Sequence, residues 1–245
     1  MGWLDLPRVP EPEVMDDCGE VEAYASAAEQ SFLSAIDDTF IAHARRLAGA
    51  RASAGSPGRA LDIGTGPGQI VLKLARHLPG WQLLGVDRSP SMIRQALAAR
   101  ELALRGASHA PGELTTRVEF LLADGNRLPF ADASFDLVLS NSVLHHLERP
   151  AGVFEEIARV VKRDGAILLR DLRRPSRLGY TLHVRWHGRR YSGTMHKLYC
   201  DSVRAAYTQE ELFAMLQASP LRGARVFARG RTHLGVERAA GLDAG

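Results

Sequence analysis

The sequence has little of what marks a secreted, disulfide-bonded or membrane-spanning protein. Its 245 residues include two cysteines, Cys18 and Cys200, too few for a disulfide framework, and we expect free thiols in a reducing compartment. No stretch approaches the ~18 uninterrupted apolar residues of a membrane span. The N-terminus also lacks the basic start and apolar core of a secretory signal. These absences predict a cytoplasmic protein without a membrane span.

A large excess of one charge is absent as well. The sequence has 31 Lys and Arg against 28 Asp and Glu, and this net charge of +3 is too small by itself to indicate a nucleic-acid partner. Apolar residues make up 45% and charged residues 24%, as in ordinary globular enzymes, which excludes disorder of the whole chain. The length suits one α/β domain with an additional lid.

The first 58 residues have the pattern of an extended arm followed by a helical cover. Residues 1–20 carry three prolines and little periodicity, whereas apolar residues recur at helical spacing from Ser31 to Leu47. The small, glycine-rich stretch AGARASAGSPGR then predicts a flexible connector. We therefore expect residues 1–58 to cover a main domain that spans residues 59–245.

In the main domain, apolar runs alternate with helical patterns, which predicts right-handed βαβ units. The runs LLGV, FLLA, LVLS and AILL are continuously apolar, as in the buried strands of a parallel sheet. The fold class is thus α/β: a doubly wound, mostly parallel seven-stranded sheet with a helical N-terminal cover and an inserted lid. The predicted strands are Ala60–Ile63, Gln82–Val86, Val118–Ala123, Phe135–Ser140 and Ala166–Asp171, and the predicted helices between them are Gln69–Leu78, Ser89–Arg105 and Ala151–Lys162.

The C-terminal region departs from this alternation. Thr208 and Glu211 form a capping box that predicts a helix over Thr208–Ala218. The apolar segments Arg225–Ala228 and Thr232–Glu237 follow it and are too close together for a parallel crossover. We therefore predict that the last two strands form an antiparallel hairpin.

The glycine-rich segment LDIGTGPGQI is the sharpest local signal in the sequence. A strand ends there and the chain turns into a helix, whose first N–H groups are free to meet a ligand. The glycine spacing is GxGxG rather than GxGxxG, and Pro67 lies in the loop, so a pyrophosphate ligand is disfavoured. Asp62 precedes the turn, and its negative charge suits a cationic or amine-bearing ligand better than a phosphate.

Carboxylates follow two further strands of the predicted sheet. Asp87 comes at the end of the second strand, where an acidic residue accepts hydrogen bonds from both ribose hydroxyls. Asp124 follows the third strand and can accept a hydrogen bond from an adenine amino group. Because open α/β sheets bind ligands at the carboxyl ends of their strands, the three carboxylates predict one ligand crevice.

Four segments together carry a family resemblance: LDIGTGPG, GVDRSPSMI, LLADGNRLPF and FDLVLSNSVLHHL. They resemble motifs of the class I S-adenosylmethionine-dependent methyltransferases, close to the type 11, ubiquinone-methylase-like branch. The resemblance covers about residues 59–172, and the C-terminal hairpin by topology. It implies a Rossmann-like methyltransferase domain over residues 59–245 that uses S-adenosyl-L-methionine and releases S-adenosyl-L-homocysteine.

The resemblance also implies roles for individual residues around the methionine half of the cofactor. It places Asp62 near the methionine amine, and Asn141 and Ser142 beside the methionine moiety and the sulfonium. Three glycines would let the backbone approach the cofactor closely: Gly64, Gly66 and Gly68.

Around the adenosine half, the resemblance implies that Asp87 holds the ribose. It places Asp124 and Gly125 at the adenine ring. The side chains expected to flank the adenosine are Arg88 and Met92. Because N-terminal helices cover the cofactor in this branch, Tyr24 is expected to be a contact from the cover.

Two kinds of methyl transfer are disfavoured by what the motifs lack. Neither NPPY nor DPPY follows the fourth predicted strand, which argues against methylation of an adenine amine or a glutamine amide. No Cys-rich or His/Asp/Glu cluster has metal-ligand spacing in the sequence, so we expect no metal site.

A general base helps when the nucleophile is a hydroxyl or an acidic carbon. His145 and His146, with His146 slightly preferred, are the candidates, although paired histidines at this point also orient loops or pack beneath the cofactor.

The basic segment 170–204 holds nine Arg or Lys and two Asp, together with three of the five tyrosines. We expect a lid over about residues 173–207 that forms the acceptor pocket, with Arg170, Arg173 and Arg174 binding an anionic or aromatic small molecule. A solvated surface helix is the alternative structural interpretation. The alternative functions are a tRNA or rRNA methyltransferase and a non-catalytic S-adenosylmethionine-binding partner protein.

Overall fold

A seven-stranded mixed sheet forms the centre of the molecule. The computed structural model describes residues 5–11, 19, 31–53, 56–106 and 117–241. The strands lie in the order β3-β2-β1-β4-β5-β7-β6; neighbours are parallel from β3 to β5, whereas β7 is antiparallel to both β5 and β6. The predicted fold class and C-terminal hairpin are confirmed. The strands are β1 Arg59–Ile63, β2 Gln82–Asp87, β3 Val118–Leu122, β4 Phe135–Asn141, β5 Val161–Leu172, β6 Arg225–Arg229 and β7 His233–Arg238.

Helices cover both faces of the sheet and bury a core on each side. The apolar run of β4 serves both cores, because side chains alternate between the faces of a strand: Phe135 and Val138 belong to one core, Leu137 and Leu139 to the other. The helices are α1 Ser31–Ser53, α2 Gln69–Ala75, α3 Pro90–Gly106, α4 Ala151–Val160, α5 Arg177–His187, α6 Gly193–Ala205 and α7 Gln209–Gln217.

Side-chain caps fix where two of these helices begin, as the sequence predicts. The Ser89 hydroxyl accepts a hydrogen bond from the Met92 N–H at 3.2 Å, so α3 begins at Pro90. At α7, the Thr208 side chain accepts from the Glu211 N–H at 3.2 Å, and the Glu211 carboxylate accepts from the Thr208 N–H at 2.9 Å. This is the predicted capping box.

The structure corrects two predicted boundaries. Helix α1 continues through the first part of the predicted flexible connector to Ser53, with a kink at Gly49, whose φ is 60°. Glycine tolerates this positive φ, and with a ψ of −140° its backbone is not helical, so two helical stretches meet at a kink there. Strand β5 begins at Val161 rather than Ala166, because Val161 is extended and pairs with Phe135 of β4.

The predicted lid lies between β5 and α7 and consists of helices α5 and α6. A 3₁₀ turn over Gly188–Arg190 joins them, and the Ser176 hydroxyl caps α5 by accepting from the Gly179 N–H. None of the helices in the described ranges is long and apolar enough to cross a membrane. Cys200 on α6 is a free thiol, whereas Cys18 lies outside the described residues.

Candidate active site

The carboxyl ends of the parallel strands and the lid enclose a cavity of about 280 Å³. The strand-end side of this cavity is largely polar, and the lid side is largely aromatic and apolar. Its lining includes both candidate bases, His145 and His146, and ten of the predicted cofactor-contact residues, namely Asp62, Gly64, Gly66, Asp87, Arg88, Met92, Asp124, Gly125, Asn141 and Ser142. The lid contributes His187, Tyr191, Met195, Leu198, Tyr199 and Ser202.

The glycine loop at the base of the cavity is shaped by backbone geometry that needs glycine. Gly64 has φ 71°, and a Cβ atom there would lie 2.2 Å from Cγ2 of Val143, a residue in the turn after β4. Gly68 has φ 86° and is the N-cap of α2. The loop is also anchored from below, because Gly64 and Thr65 both donate backbone hydrogen bonds to the Val86 carbonyl. The predicted turn from β1 into α2 is therefore present and rigidly held.

Asp62 is the most unusual group in the cofactor half of the cavity. It is 3% exposed, and its Oδ1 atom is buried without a hydrogen-bond partner among the described residues. Burial raises the pKa of this carboxyl to about 7. An unsatisfied buried carboxylate is costly unless a cation or donor meets it. The site thus fits a ligand amine, as expected for the methionine end of the cofactor.

The Asp87 carboxylate accepts backbone hydrogen bonds from the glycine loop and from the turn before α3. Its Oδ2 atom accepts from the Gly66 N–H at 2.8 Å, and Oδ1 accepts from the Ser89 N–H at 2.9 Å. Burial raises the pKa of Asp87, although these backbone hydrogen bonds oppose the shift. Met92, which is 5% exposed, lies on the same part of the cavity wall. Asp87 therefore ties β2 to the glycine loop and lies in the cavity wall.

Asp124 is fixed at the outer end of the cofactor half. It accepts hydrogen bonds from the Asn126 N–H at 2.9 Å and from the Asn126 side-chain amide at 3.0 Å, and the first of these lowers its pKa. Its other oxygen is 4.0 Å from Nε of Arg88. Gly125 lies against Ile63, where a Cβ atom would be 3.1 Å from Cγ2. These contacts present an oriented carboxylate at the cavity edge, as adenine recognition would need.

The turn after β4 carries local backbone strain. Ser142 has φ 60°, an uncommon angle for a residue with a Cβ atom, and its N–H donates to the Arg170 carbonyl at 2.8 Å. The preceding Asn141 accepts a hydrogen bond from Nε of Arg170 at 3.0 Å. Strained residues of this kind occur at binding sites, where the surrounding structure holds them in place.

The two candidate histidines have different partners. Nδ1 of His145 donates to Oδ1 of Asp171 at 2.6 Å, and the His145 backbone N–H donates to Oδ2 at 3.0 Å. Burial acts to lower the pKa of His145, but the Asp171 carboxylate outweighs it and the pKa is raised. His146 instead lies 3.2 Å from the Glu11 carboxylate through Nδ1. The structure therefore builds an oriented His–Asp pair on His145, not on the slightly preferred His146.

Glu11 brings an additional carboxylate to this pair. Its Oε2 atom is 3.9 Å from Nε2 of His145, and burial raises its pKa. Ligand atoms of Glu11, His145 and His146 all lie within 4.8 Å of one another, a spacing compatible with a metal ion. The sequence spacing does not reveal this cluster, because Glu11 is remote in sequence and only the fold brings it to the histidines; the absence of a metal site stays a prediction.

The three arginines predicted to bind the acceptor do not line this cavity. Arg170 is 2% exposed and turns toward α1, where it donates to the Thr39 hydroxyl at 3.0 Å and lies over the Phe40 ring. Arg174 is buried in an ion pair with Glu211. The Arg173 backbone pairs with Tyr207 in an isolated bridge. Each of them ties neighbouring elements to β5, so a direct acceptor contact is not supported.

Gly68 and Tyr24 are the remaining predicted cofactor contacts. Gly68 shapes the loop without lining the cavity, and Tyr24 lies outside the described residues. Sequence reasoning missed Tyr191 and Tyr199 as cavity residues. The signal for them was the presence of three of the five tyrosines in segment 170–204, but the acceptor pocket was predicted from the arginines of that segment.

The comparisons with known proteins agree with this geometry. A family model described as a methyltransferase domain matches residues 61–169. A demethylmenaquinone methyltransferase of Roseiflexus castenholzii is 33% identical over 49% of this chain and 45% of its own length. One from Thermus thermophilus is 29% identical over 67% of this chain and 74% of its own length. The chain spans less than half the length of the first curated relatives that it matches.

Solved structures show the same fold. The plantazolicin methyltransferase BpumL, in complex with a desmethylPZN analog and SAH, has a TM-score of 0.64 and 15% identity, and the match covers 91% of this chain and 90% of that one. The family model covers residues 61–169, and the strand order and the glycine loop of this chain agree with the fold of these solved structures. Residues 61–169 are therefore similar to a methyltransferase domain.

Proposed function

We propose that this chain transfers the methyl group of S-adenosylmethionine to a small-molecule acceptor held between the strand ends and the lid. The observation that carries the proposal is one continuous cavity with two unlike halves. One half presents Asp62, Asp87 and Asp124 at the ends of three strands, and the other half is formed by the lid. A cofactor and an acceptor that share one cavity are aligned for direct transfer.

The chain's own residues supply positioning and proton removal. When bound, S-adenosylmethionine supplies an activated methyl group on its sulfonium. Asp62 would hold the amine and Asp87 the ribose. The imidazole of His145, oriented through Nδ1 by Asp171, would accept the proton of the acceptor's hydroxyl or acidic carbon at Nε2. The resulting imidazolium is stabilised by Asp171, so the proton has a defined destination.

The lid side of the cavity favours an aromatic or apolar acceptor. Tyr191, Met195, Leu198 and Tyr199 line it, whereas Arg185 on the same lid is exposed on the outside. An anionic acceptor would need a cation on the inner surface, and the predicted arginines are engaged elsewhere. A base within RNA would have to pass beneath α5 and α6, so the enclosed cavity supports a small molecule over the RNA alternative.

Ligand-dependent thermal unfolding tests the cofactor part of this proposal. S-adenosylmethionine and S-adenosylhomocysteine should each stabilise the protein, by ~2.7 kcal/mol at ~100 times the dissociation constant, and NAD should not. Stabilisation by NAD alone would contradict the proposal.

A methyl-transfer assay with isotopically labelled cofactor tests the acceptor part. Aromatic and apolar compounds that bear a hydroxyl or an acidic carbon should accept the label, while total RNA and simple anions should not. Label in RNA alone would favour the RNA methyltransferase alternative. A cofactor-dependent stabilisation with no acceptor at all would favour a non-catalytic binding protein.

A further inference from the structure

The outer face of α5 exposes a row of large apolar side chains. Leu178 is 68% exposed, Leu182 is 71% exposed and Trp186 is 60% exposed. These residues are four positions apart, so they lie in one line along the helix, roughly 12 Å long. Grouped apolar side chains of this size on a folded surface mark an interaction site.

Basic side chains border this apolar row. Arg185 and Arg189 are exposed and follow Leu182 and Trp186 by three residues each. Arg177 is exposed at the beginning of the helix. The Arg189 guanidinium lies over the Trp186 ring, 4.1 Å from its centroid. No Asp or Glu occurs anywhere between Leu172 and Cys200, so the sequence offers this surface no local counter-charge. The face is therefore both apolar and uniformly positive.

The inner face of α5 is already engaged in the protein, which fixes the orientation of the outer face. His183 is 8% exposed, and its Nε2 atom is 3.0 Å from the Tyr199 hydroxyl of α6. His187 lines the cavity. The apolar row therefore points away from the cavity and is exposed to solvent.

We propose that the outer face of α5 docks on the surface of an anionic phospholipid bilayer. Interfacial helices combine leucine and tryptophan on the lipid side with arginines that meet the phosphate groups, and this face has both. The inference concerns binding alone and does not depend on the proposed methyl transfer. Because the same helix lines the cavity with His187, docking places the acceptor half of the cavity next to the lipid.

Two other occupants fit the face less well. A second copy related by a two-fold axis would bring the same arginines of both chains together, with no acidic residue between Leu172 and Cys200 to offset their repulsion. An RNA backbone would pair with the arginines but would leave Leu178 and Leu182 in water. Only an anionic membrane surface matches the charge and the apolar row together.

Vesicle binding tests the proposal directly. The full chain is mixed with vesicles of phosphatidylcholine alone or with about one third phosphatidylglycerol, and bound protein is measured by sedimentation. We expect binding to the anionic vesicles, weakened by salt, and much weaker binding to the neutral ones. The double variant L182A/W186A should bind at least about tenfold more weakly, and R185A/R189A about 25-fold more weakly.

A matched control is available elsewhere on the surface. Leu102 on α3 is also 68% exposed and lies near Arg105, so L102A/R105A removes the same side-chain types away from the lid. Its vesicle binding should equal that of the parent protein. All these side chains are exposed, and unchanged thermal unfolding would show that the variants remain folded.

Tryptophan fluorescence locates the contact. Trp81 is 1% exposed, so in a W3F background the vesicle-dependent signal comes from Trp186. Its emission should shift to shorter wavelength and be quenched by brominated lipid. The proposal is overturned by equal binding of L182A/W186A and the parent protein, by the absence of binding to anionic vesicles, by binding of RNA in place of vesicles, or by a dimer that L182A/W186A converts to a monomer.

Discussion

The two halves of the cavity are built by different means. On the cofactor side, the wall is shaped mainly by backbone contacts. Gly64 lies close against Val143, and the N–H groups of Gly66 and Ser89 donate to the Asp87 carboxylate. On the lid side, the wall consists of side chains such as Tyr191 and Tyr199 on an insertion. In the proposed function, cofactor recognition is thus assigned to the sheet and acceptor recognition to the inserted segment.

The largest expected effect lies where the two halves meet, at His145. Replacement of His145 by Ala removes the proposed base and should lower kcat by about 10²- to 10⁴-fold, while the dissociation constant of the cofactor changes little. Steady-state kinetics and cofactor titration measure the two quantities separately. An equal loss in His146→Ala and none in His145→Ala would reverse the assignment of the base.

The pH profile shows whether Asp171 acts through His145. A base must be neutral to accept a proton, so activity should rise as pH increases through the pKa of His145, which lies above its usual value. In Asp171→Asn, the carboxylate no longer supports the imidazolium, and the acidic limb should move to lower pH while kcat falls. An acidic limb that stays in place would mean that another group carries the titration.

The next largest effect is expected at Asp62. Asp62→Asn removes the partner of the cofactor amine, and cofactor affinity should fall by about 10- to 100-fold, as for a lost charge-assisted hydrogen bond. Calorimetric titration measures this change. Asp132 is an exposed carboxylate outside the cavity, so Asp132→Asn is the matched control and should leave the affinity unchanged.

Asp62 also predicts how the stability of the cofactor-free protein depends on pH. Its folded-state pKa of about 7 lies above the ordinary value of 3.8, so the folded state holds a proton that the unfolded state has released between these pH values. The free energy of unfolding should therefore decrease as pH rises from about 4 to about 7. Asp62→Asn should flatten this slope in denaturant unfolding, and an unchanged slope would place the raised pKa elsewhere.

A smaller effect, confined to the lid half, is expected at Tyr191. Tyr191→Ala should raise the KM of the acceptor by about tenfold through lost apolar contact and leave the cofactor dissociation constant nearly unchanged. Tyr180 is a half-buried tyrosine on the same lid that does not line the cavity, so Tyr180→Ala is its control. A change in cofactor affinity on Tyr191→Ala would show that the two halves are not separable.

The smallest expected effect is at Arg173. It does not line the cavity, so Arg173→Ala should change the acceptor KM by less than about twofold. Arg174→Ala should instead lower thermal stability, because Oε1 of Glu211 and the Ala206 carbonyl lose the hydrogen bonds that Arg174 donates. A large rise in the acceptor KM on Arg173→Ala would instead support the prediction from sequence that this arginine binds the acceptor.

Local sequence patterns were sufficient to predict the sheet and the cofactor half. Asp62 and Asp87 lie at the carboxyl ends of β1 and β2, and Asp124 follows β3. Parallel strands place their carboxyl ends at one edge, so the chain's topology alone brings these carboxylates together. The capping residues Ser89 and Thr208 act within a few positions of themselves and were equally visible in the sequence.

The lid half could not be predicted in the same detail. Composition showed that segment 170–204 is basic and aromatic, but not which side of each helix faces inward. Arg170 leaves β5 at the expected place and yet turns to Thr39 on α1. Glu11 reaches His146 only through tertiary folding. Both outcomes depend on contacts between distant parts of the chain, which local patterns do not encode.

The isolated bridge between Arg173 and Tyr207 joins the two ends of the lid, so the lid is a loop that leaves and rejoins the rest of the protein at nearly the same point. The entropy of closing such a loop grows only with the logarithm of its length, so doubling the length costs ~0.6 kcal/mol. An engineer could therefore graft a longer or shorter segment between β5 and α7 with little penalty to folding, provided that the grafted segment covers its own apolar surface. Under the proposed function, exchange of this one surface segment should change the acceptor, while the strand ends proposed to hold the cofactor remain as they are.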